Sequence, residues 1–540
     1  MKKSRITGAL ALALAVLFVL SACGGVTGGS ASASGGQSGN AALFNPTGYP
    51  IVNEPVTISV LCADHGNGVD RSEQFYSQRK QEATGITVEW TAVPVSAYAE
   101  RRNLLLAAND LPDVFWSGID VTSETNYGVN GGALIDLTGL VSDYMPILNK
   151  YFDANPGSRD VMKAIDGKMY SLPQFVSTLT GGGVNLYVRT DLRDKAGVHK
   201  NPSTIGEFYD TLVAMAGIAP DFVPMAVTNI LNVEPFLFPS FGEQTEFNFA
   251  DDGSGNVIYN TTSDQYRHYL EFMANLYAEK LLDNEMFTRE AAEVQAMCRE
   301  NRVGFSNQGT IYTLDHFESG TYDVECFPPL TSEFTDTVKM RRHGHKATNI
   351  GFFAITSANK YPEASARWID MDYWLEEEDL VPGITEVMCW LGPKGLTWER
   401  MGDGYYRQII PEDTQLSASQ YLAYAAPGDG AGTLVIMDAP YPTDGVTGMV
   451  MKAINQRDHY YPYMVAPFPD GYLRYNDAEM GVISGKMTDI DSYVTQMKAR
   501  FITGEVPLVN DSWDTFVKEI KAMGIDDVIA VKQASYNRMK

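Results

Sequence analysis

The sequence predicts an α/β protein of two lobes, each a mostly parallel sheet flanked by helices, with extra helices towards the C-terminus. Three observations carry this expectation. Apolar strand runs alternate with helical patterns from Val56 to Trp116, which is the signature of βαβ units. The chain has 540 residues, enough to bury two cores. The pattern breaks between about Leu172 and Val184 and returns near Lys346, so the elements fall into two series.

The first element is a leader. Lys2, Lys3 and Arg5 supply positive charge, and an apolar run from Ala9 to Leu20 follows that is too short to span a bilayer comfortably, as in an export signal. Leu20-Ser21-Ala22-Cys23 resembles the bacterial lipobox, in which lipid is joined to the cysteine before cleavage. Only a thiol can form that thioether, so Cys23 is the expected lipid-attachment residue and residues 1–22 the expected signal peptide. Residues 23–50 are rich in glycine and serine with little apolar content, and are expected to be a flexible tether.

Ordered sequence is expected from Pro55. Val56–Leu61 is a β-branched strand, Gln74–Thr84 a helix closed by Gly85, Gly85–Trp90 a second strand, Ala97–Ala108 a second helix and Asp113–Trp116 a third strand. Leu134–Thr138, a helix over Tyr144–Tyr151 and a turn at Gly167 within Asp166–Pro173 complete the first series. The second opens with a strand at Val184–Arg189. It continues through a helix at Ile205–Ala216, the segment Pro224–Thr228, a hairpin over Asp251–Tyr259, a helix near Asp264–Lys280 and a strand at Arg302–Ser306. Ile350–Thr356 is again a strand, and helices are expected at Pro362–Glu377, Ile490–Phe501 and Trp513–Met523. The expected division is residues 51–175 with about 346–400 as lobe 1. Lobe 2 takes 176–345 with parts of 401–540, whose late helices brace the lobes.

Bulk chemistry excludes some classes. The formal charge of the whole chain is −26, and loss of Lys2, Lys3 and Arg5 with the leader takes it to −29. Such a surface repels phosphates, so nucleic acid is not an expected partner. The basic run Lys339–Lys346 reads as a solvated loop. Besides Cys23, cysteines stand at 62, 298, 326 and 389, with separations of 236, 28 and 63 residues that fit no common metal or disulfide module. A Cys298–Cys326 bridge and two free thiols both remain open. No cofactor or metal is expected. His343 and His345 are too little for a site, and Asp251-Asp-Gly-Ser-Gly-Asn256 lacks the distal glutamate of a calcium loop, so it reads as a turn.

The chain has no nucleophile elbow, zincin, P-loop or dinucleotide motif. Acidic pairs are unavoidable among 67 Asp and Glu residues, so Asp113, Glu234 or Glu386 in a glycosidase role is the rival reading; against it, the regular alternation of a barrel hydrolase is absent. Aromatics are more telling, at 11% of the chain. Sugars stack their C–H faces on indole or phenol rings and hydrogen-bond to carboxylates, amides or guanidinium groups. Asp113 with Trp116, the pair Trp390 and Trp398 around Gly392–Gly395, and Tyr187 and Arg302 on strands of the second series form the expected ligand set. For Trp116 and Trp398 ordinary core packing is the competing expectation.

Asn103-Leu-Leu-Leu-Ala-Ala-Asn-Asp-Leu-Pro-Asp-Val-Phe115, Ala133–Thr138, Asp166–Pro173, Ala499–Gly504, Trp513–Phe516, Met523-Gly-Ile525 and Gln533–Tyr536 occur in an order and spacing that resemble the extracellular solute-binding lipoproteins of ABC importers. The likeness is to the long Gram-positive subgroup linked to oligosaccharide uptake, and runs over nearly the whole chain. It implies a two-lobed, periplasmic-binding-type fold that closes on an oligosaccharide or other small solute, performs no chemistry, and delivers its load to a transmembrane permease. It also implies a monomer anchored by lipid on the outer face of the cell membrane. Within that family Asp113 and Trp116 line the first-lobe side of the cleft and Trp390 a late segment. There this chain departs, with Cys389-Trp-Leu-Gly-Pro-Lys-Gly395 in place of a Tyr-Gly motif.

Overall fold

The computed structural model describes residues 43–64, 69–176, 186–227, 233–307, 324–341, 348–373 and 458–540, with shorter stretches between 388 and 440. The leader, Cys23 and the expected tether as far as residue 42 lie outside the described residues, whereas its last part, residues 43–50, is packed on the fold, held there by hydrogen bonds and ring contacts that the glycine- and serine-rich composition did not show. Within them the chain builds β1 (Val56–Asp64), α1 (Phe75–Thr84), β2 (Ile86–Pro94), α2 (Val95–Ala108), β3 (Val114–Trp116), α3 (Thr138–Tyr144), α4 (Pro146–Ala154) and β4 (Leu172–Val176). There follow β5 (Tyr187–Arg189), α5 (Ile205–Ala216), β6 (Val223–Met225), β7 (Phe249–Asp251), β8 (Val257–Tyr259), α6 (Asp264–Ala278), α7 (Ala291–Arg299), β9 (Val303–Ser306) and β10 (Val324–Cys326). The chain then forms β11 (Thr348–Ile355), α8 (Pro362–Asp370), β12 (Val435–Ile436), α9 (Asp477–Ile502), α10 (Asn510–Ala522) and α11 (Ile525–Met539).

Local chemistry sets the boundaries. α1 stops where Gly85 takes φ 77°, a left-handed conformation open to glycine at little cost. Thr204 caps α5 by accepting from the Glu207 amide. Asn476 and Glu479 form a reciprocal capping box that starts α9, which runs for 26 residues.

Two sheets result. The first has the order β12-β4-β11-β3-β1-β2 and the second β10-β5-β9-β6. β1 pairs parallel with β2 and β3, while β11 pairs antiparallel with β3 and β4. In the second sheet β6 is parallel to β9, and β5 is antiparallel to both β9 and β10. Each sheet therefore holds one strand that opposes the rest. In both it is the strand by which the chain arrives from the other sheet, β5 after β4 and β11 after β10.

Each sheet has its own core. Ile58, Val60, Trp116, Leu148, Phe175, Phe353, Trp368 and Trp398 belong to the first; Val188, Phe208, Leu270, Phe305, Phe327, Ile490, Phe501 and Trp513 belong to the second. The late helices thus build the second lobe's core instead of only bracing it. Cys298 and Cys326 are buried within that core with no disulfide between them, so the open choice between bridge and thiols falls to the thiols.

The segment just before β1 is strapped to the first lobe. Arg367 on α8 donates to the carbonyls of Asn45 and Gly48, and Phe44 packs edge-on against Tyr144 with ring centroids 5.4 Å apart. At the other end of the chain α11 docks on the β7–β8 hairpin. Gln533 accepts from the Val257 amide at 2.7 Å and donates to the Gly255 carbonyl at 3.0 Å, and Tyr536 donates to Asp251 at 2.8 Å. Asp251 and Asp252 also accept from the amides of their own turn, as a hairpin requires.

Among the described residues the chain changes from one lobe to the other three times, and the ends that flank these passages are tied. On the first-lobe side Asn349 donates to Gln174 at 3.0 Å and Tyr472 donates to the Thr348 carbonyl. On the second-lobe side Tyr460 donates to the Leu186 carbonyl at 3.1 Å, and Met340–Arg341 pairs in parallel with Met464–Val465.

Candidate functional site

In open α/β sheets a ligand crevice forms outside the carboxyl ends of the strands, where the strand order reverses. The first sheet has that reversal between β1 and β3, because the chain goes outward from β1 to β2 and then back across β1 to β3. The carboxyl ends of β1 and β3 are Asp64 and Trp116.

Immediately beyond Trp116 the backbone is strained. Ser117 has φ 80° and Gly118 φ 83°, a left-handed pair that is costly for serine. The surroundings hold it there. Tyr98 on α2 donates to the carbonyls of Trp116 and Ser117 at 3.1 and 2.9 Å, Arg102 donates to the Gly118 carbonyl, and the Ser117 amide donates to the Phe352 carbonyl at 2.8 Å. On β11 Gly351 is required: a Cβ there would sit 1.9 Å from the Ile119 carbonyl oxygen. Gly118 and Asp120 are exposed on this rim. Beside it Arg71 donates to the Ala63 carbonyl at 3.1 Å and lies 5.7 Å from the ring centre of half-buried Trp90. The Arg71 guanidinium and the Trp90 indole thus lie together beside β1, and the turn after β3 carries Ser117 and Asp120, whose carboxylate accepts from the Ser123 amide at 2.7 Å.

The second sheet presents Ser306 at the end of β9, Met225 at the end of β6 and, because β5 is reversed, Tyr187 at its start; Tyr187 is paired with Ser306. From these ends the chain continues into 177–185, 228–232 and 308–323, outside the described residues.

The expected ligand set is distributed differently. Asp113 stands at the amino end of β3, about 13 Å of extended chain from Ser117. Its carboxylate accepts from the Ser59 amide at 2.7 Å and hydroxyl at 2.9 Å, which fastens β3 to β1. Trp116 is at the right strand end but faces inward, only 1% exposed, among Trp90, Phe353 and Trp368 with centroids 5.4 to 5.9 Å away. Trp398 is fully buried and donates its indole N–H to the Gly392 carbonyl at 2.9 Å. Arg302 precedes β9, at the end of the second sheet away from Ser306, and pairs with Asp221 and Glu300 at 3.0 and 3.2 Å. The Tyr187 ring is buried in the second core. Trp390 lies outside the described residues. The geometry thus assigns Asp113, Trp398 and Arg302 to packing and pairing, and brings only the backbones of Trp116 and Tyr187 to the mouths. Arg71, Trp90, Ser117 and Asp120, which stand near the first mouth, were not in the expected set. The sequence signal for Ser117 was the Trp-Ser-Gly turn after a strand; Arg71 carried none.

Beneath the mouth lies a buried pair. The Lys80 ammonium is bonded to Asp372, 3.1 Å from the Tyr76 hydroxyl and 3.6 Å from the Trp368 ring centre. Burial pushes Lys80 well below the usual lysine range and Asp372 well above the usual carboxylate range. Both are sealed from solvent, so this pair fixes α1 against the end of α8 and has no access to a ligand.

A family model described as bacterial extracellular solute-binding protein matches residues 69–289, which include β3 and the turn after it but not β1. Over those residues the chain resembles the bacterial extracellular solute-binding proteins. It is 25% identical, over 100% of its own length and 99% of the relative's, to the fructooligosaccharide ABC transporter substrate-binding protein FusA of Streptococcus pneumoniae serotype 4. Among solved structures, that of S. pneumoniae FusA in complex with kestose superposes with a TM-score of 0.68 at 20% identity, covering 89% of this chain and 99% of that one. An HMO-binding, ABC-transporter-associated solute-binding protein from Bifidobacterium longum infantis gives a TM-score of 0.68 at 17% identity, covering 90% of this chain and 99% of that one. The two-lobed α/β fold is that of these solute-binding proteins. The family description and the names of these relatives are those of solute- or substrate-binding proteins, which favours that class over the anchored-hydrolase alternative.

Proposed function

We propose that this solute-binding protein takes up an extracellular oligosaccharide between its lobes and delivers it to an ABC-importer permease. The observation that carries this reading is the full-length likeness to a fructooligosaccharide-binding relative, together with a shared two-lobed fold. Lobe 1 spans residues 51–175 and about 346–400 together with β12, and lobe 2 residues 176–345 with other parts of 401–540. Arg71, Trp90, Ser117 and Asp120 form the first-lobe face of the ligand site, where an indole offers a stacking surface and the polar groups meet sugar hydroxyls. A formal charge of −29 after export favours neutral over acidic glycans. Sugar touching both lobes stabilises the closed form by its differential affinity for that state. Lipid on Cys23 holds a monomeric protein at the outer face of the membrane and raises its concentration near the permease.

Thermal unfolding with kestose and a panel of neutral and acidic oligosaccharides tests the ligand class, since a ligand that binds only the folded state raises the melting temperature. At least one neutral oligosaccharide is expected to raise it and to be recovered intact at one molecule per protein. No response to any glycan, or recovery of cleaved products, overturns the reading. Labelling with a palmitate analogue is expected to mark the protein and to be lost with Cys23→Ala.

A further inference from the structure

The third passage between the lobes contains a residue held from both sides. The Arg474 guanidinium reaches into lobe 1, where it bonds Glu124 at 2.6 Å and the carbonyls of Lys163 and Val161 at 2.9 and 3.0 Å. Glu124 is wholly buried and also accepts from Ser171 at 2.5 Å. The Arg474 carbonyl is held by the second lobe: on α11, Ser535 and Arg538 both donate to it at 2.7 Å. α11 in turn is part of the second core through Ile525 and Val528 and is docked on the β7–β8 hairpin. One residue therefore joins the two bodies, side chain to one and backbone to the other.

The space beside this joint is open. A cavity of about 460 Å³ lies between Asp160–Gly167 of lobe 1, Tyr472 and Arg474 of the passage, and Ser535–Lys540 at the end of α11. Close-packed interfaces resist small rotations because every displacement creates overlap. A joint with a void beside it turns without repacking.

We propose that Arg474 is the pivot of the clamp, a positioning residue that sets the resting angle between the lobes while touching no solute. The buried Glu124 carboxylate makes the first-lobe grip strong, since a charge in that position is costly without its partner. The two α11 donors fix the second-lobe grip. Rotation of lobe 2 then turns the backbone of residue 474 about a stationary guanidinium.

This inference rests on the clamp reading of the proposed function, yet it is read without sugar. The mature chain is prepared with Cys23→Ser and Cys389→Ser, and nitroxide labels are placed on cysteines introduced at exposed Glu82 and Asp210, one on each lobe. Pulsed electron resonance gives the distance distribution between the lobes. The parent is expected to show a narrow distribution. Glu124→Gln with Arg474→Met, which removes the grip without stranding a buried charge, is expected to at least double its width while the melting temperature stays within a few degrees. Ser535→Ala with Arg538→Gln, which cuts the other grip, is expected to broaden it similarly. An unchanged width in either folded double variant overturns the pivot. Absence of binding to any glycan, with both variants broadened, overturns the proposed ligand class and leaves the pivot standing.

Discussion

Trp116 shows what a single residue can and cannot reveal. Its place at the end of a short strand beside a candidate carboxylate suggested a sugar platform, but a three-residue strand has too little alternation to say which face the indole takes. Packing decides: the ring closes a cluster with Trp90, Phe353 and Trp368. Trp116→Ala is expected to cost about 3–5 kcal/mol of folding stability, the range for a buried aromatic truncated in a core. Denaturant unfolding measures this; retained stability with lost sugar affinity would instead place the ring against ligand. Lys80 and Asp372 make a second test. Lys80→Met alone leaves a buried carboxylate without its cation and is expected to cost about 3–5 kcal/mol, whereas Lys80→Met with Asp372→Leu is expected to be near neutral or stabilising. Calorimetric melting of the three proteins separates the cases. Neither role was legible beforehand, because the partners are 292 positions apart.

Helices and strands were far more legible than the groups they carry. The expected helix Ile205–Ala216 is α5 residue for residue, since Thr204 and the apolar spacing mark both the start and the face. The expected helix Ile490–Phe501 is only the last part of α9. Its true start, the Asn476–Glu479 box, stands ahead of a polar stretch that carries no apolar period. α11 was not anticipated as a separate helix; its inward face is set by Ile525 and Val528, and its polar side by docking to the β7–β8 hairpin. The start of α5 also gives a pH test. Hydrogen bonds from Lys200 and Ser203 hold the Glu207 carboxyl down at about 2, against an ordinary value of 4.5. A depressed folded value means the contribution is present above the unfolded pKa and is lost as pH falls from about 4.5 towards 2. Glu207→Gln is therefore expected to lower the melting temperature at neutral pH and to match the parent near pH 2. A constant difference across that window would refute the assignment.

At the scale of the molecule, the division into two series of elements was visible in the sequence as a break and a return, and the structure places a separate core under each sheet. The candidate site was less visible. Its strand mouths follow from topology, which no local pattern contains, and the Ser117 turn is imposed by Tyr98, Arg102 and Phe352 from three other elements. Closure on ligand has its own measurement. Small-angle scattering of the protein with a glycan that binds is expected to show a smaller radius of gyration than without it, and an unchanged radius would argue for a rigid receptor.

The three passages between the lobes are cross-tied near both ends, by Gln174, Asn349 and Tyr472 on one side and by Tyr460 and the Met340–Met464 pairing on the other. Leaf springs clamped side by side in this way flex readily about one axis and oppose shear and twist. Under the proposed clamp, jaws tied in this way are expected to travel along a single angular coordinate, gripping a cargo in one registration.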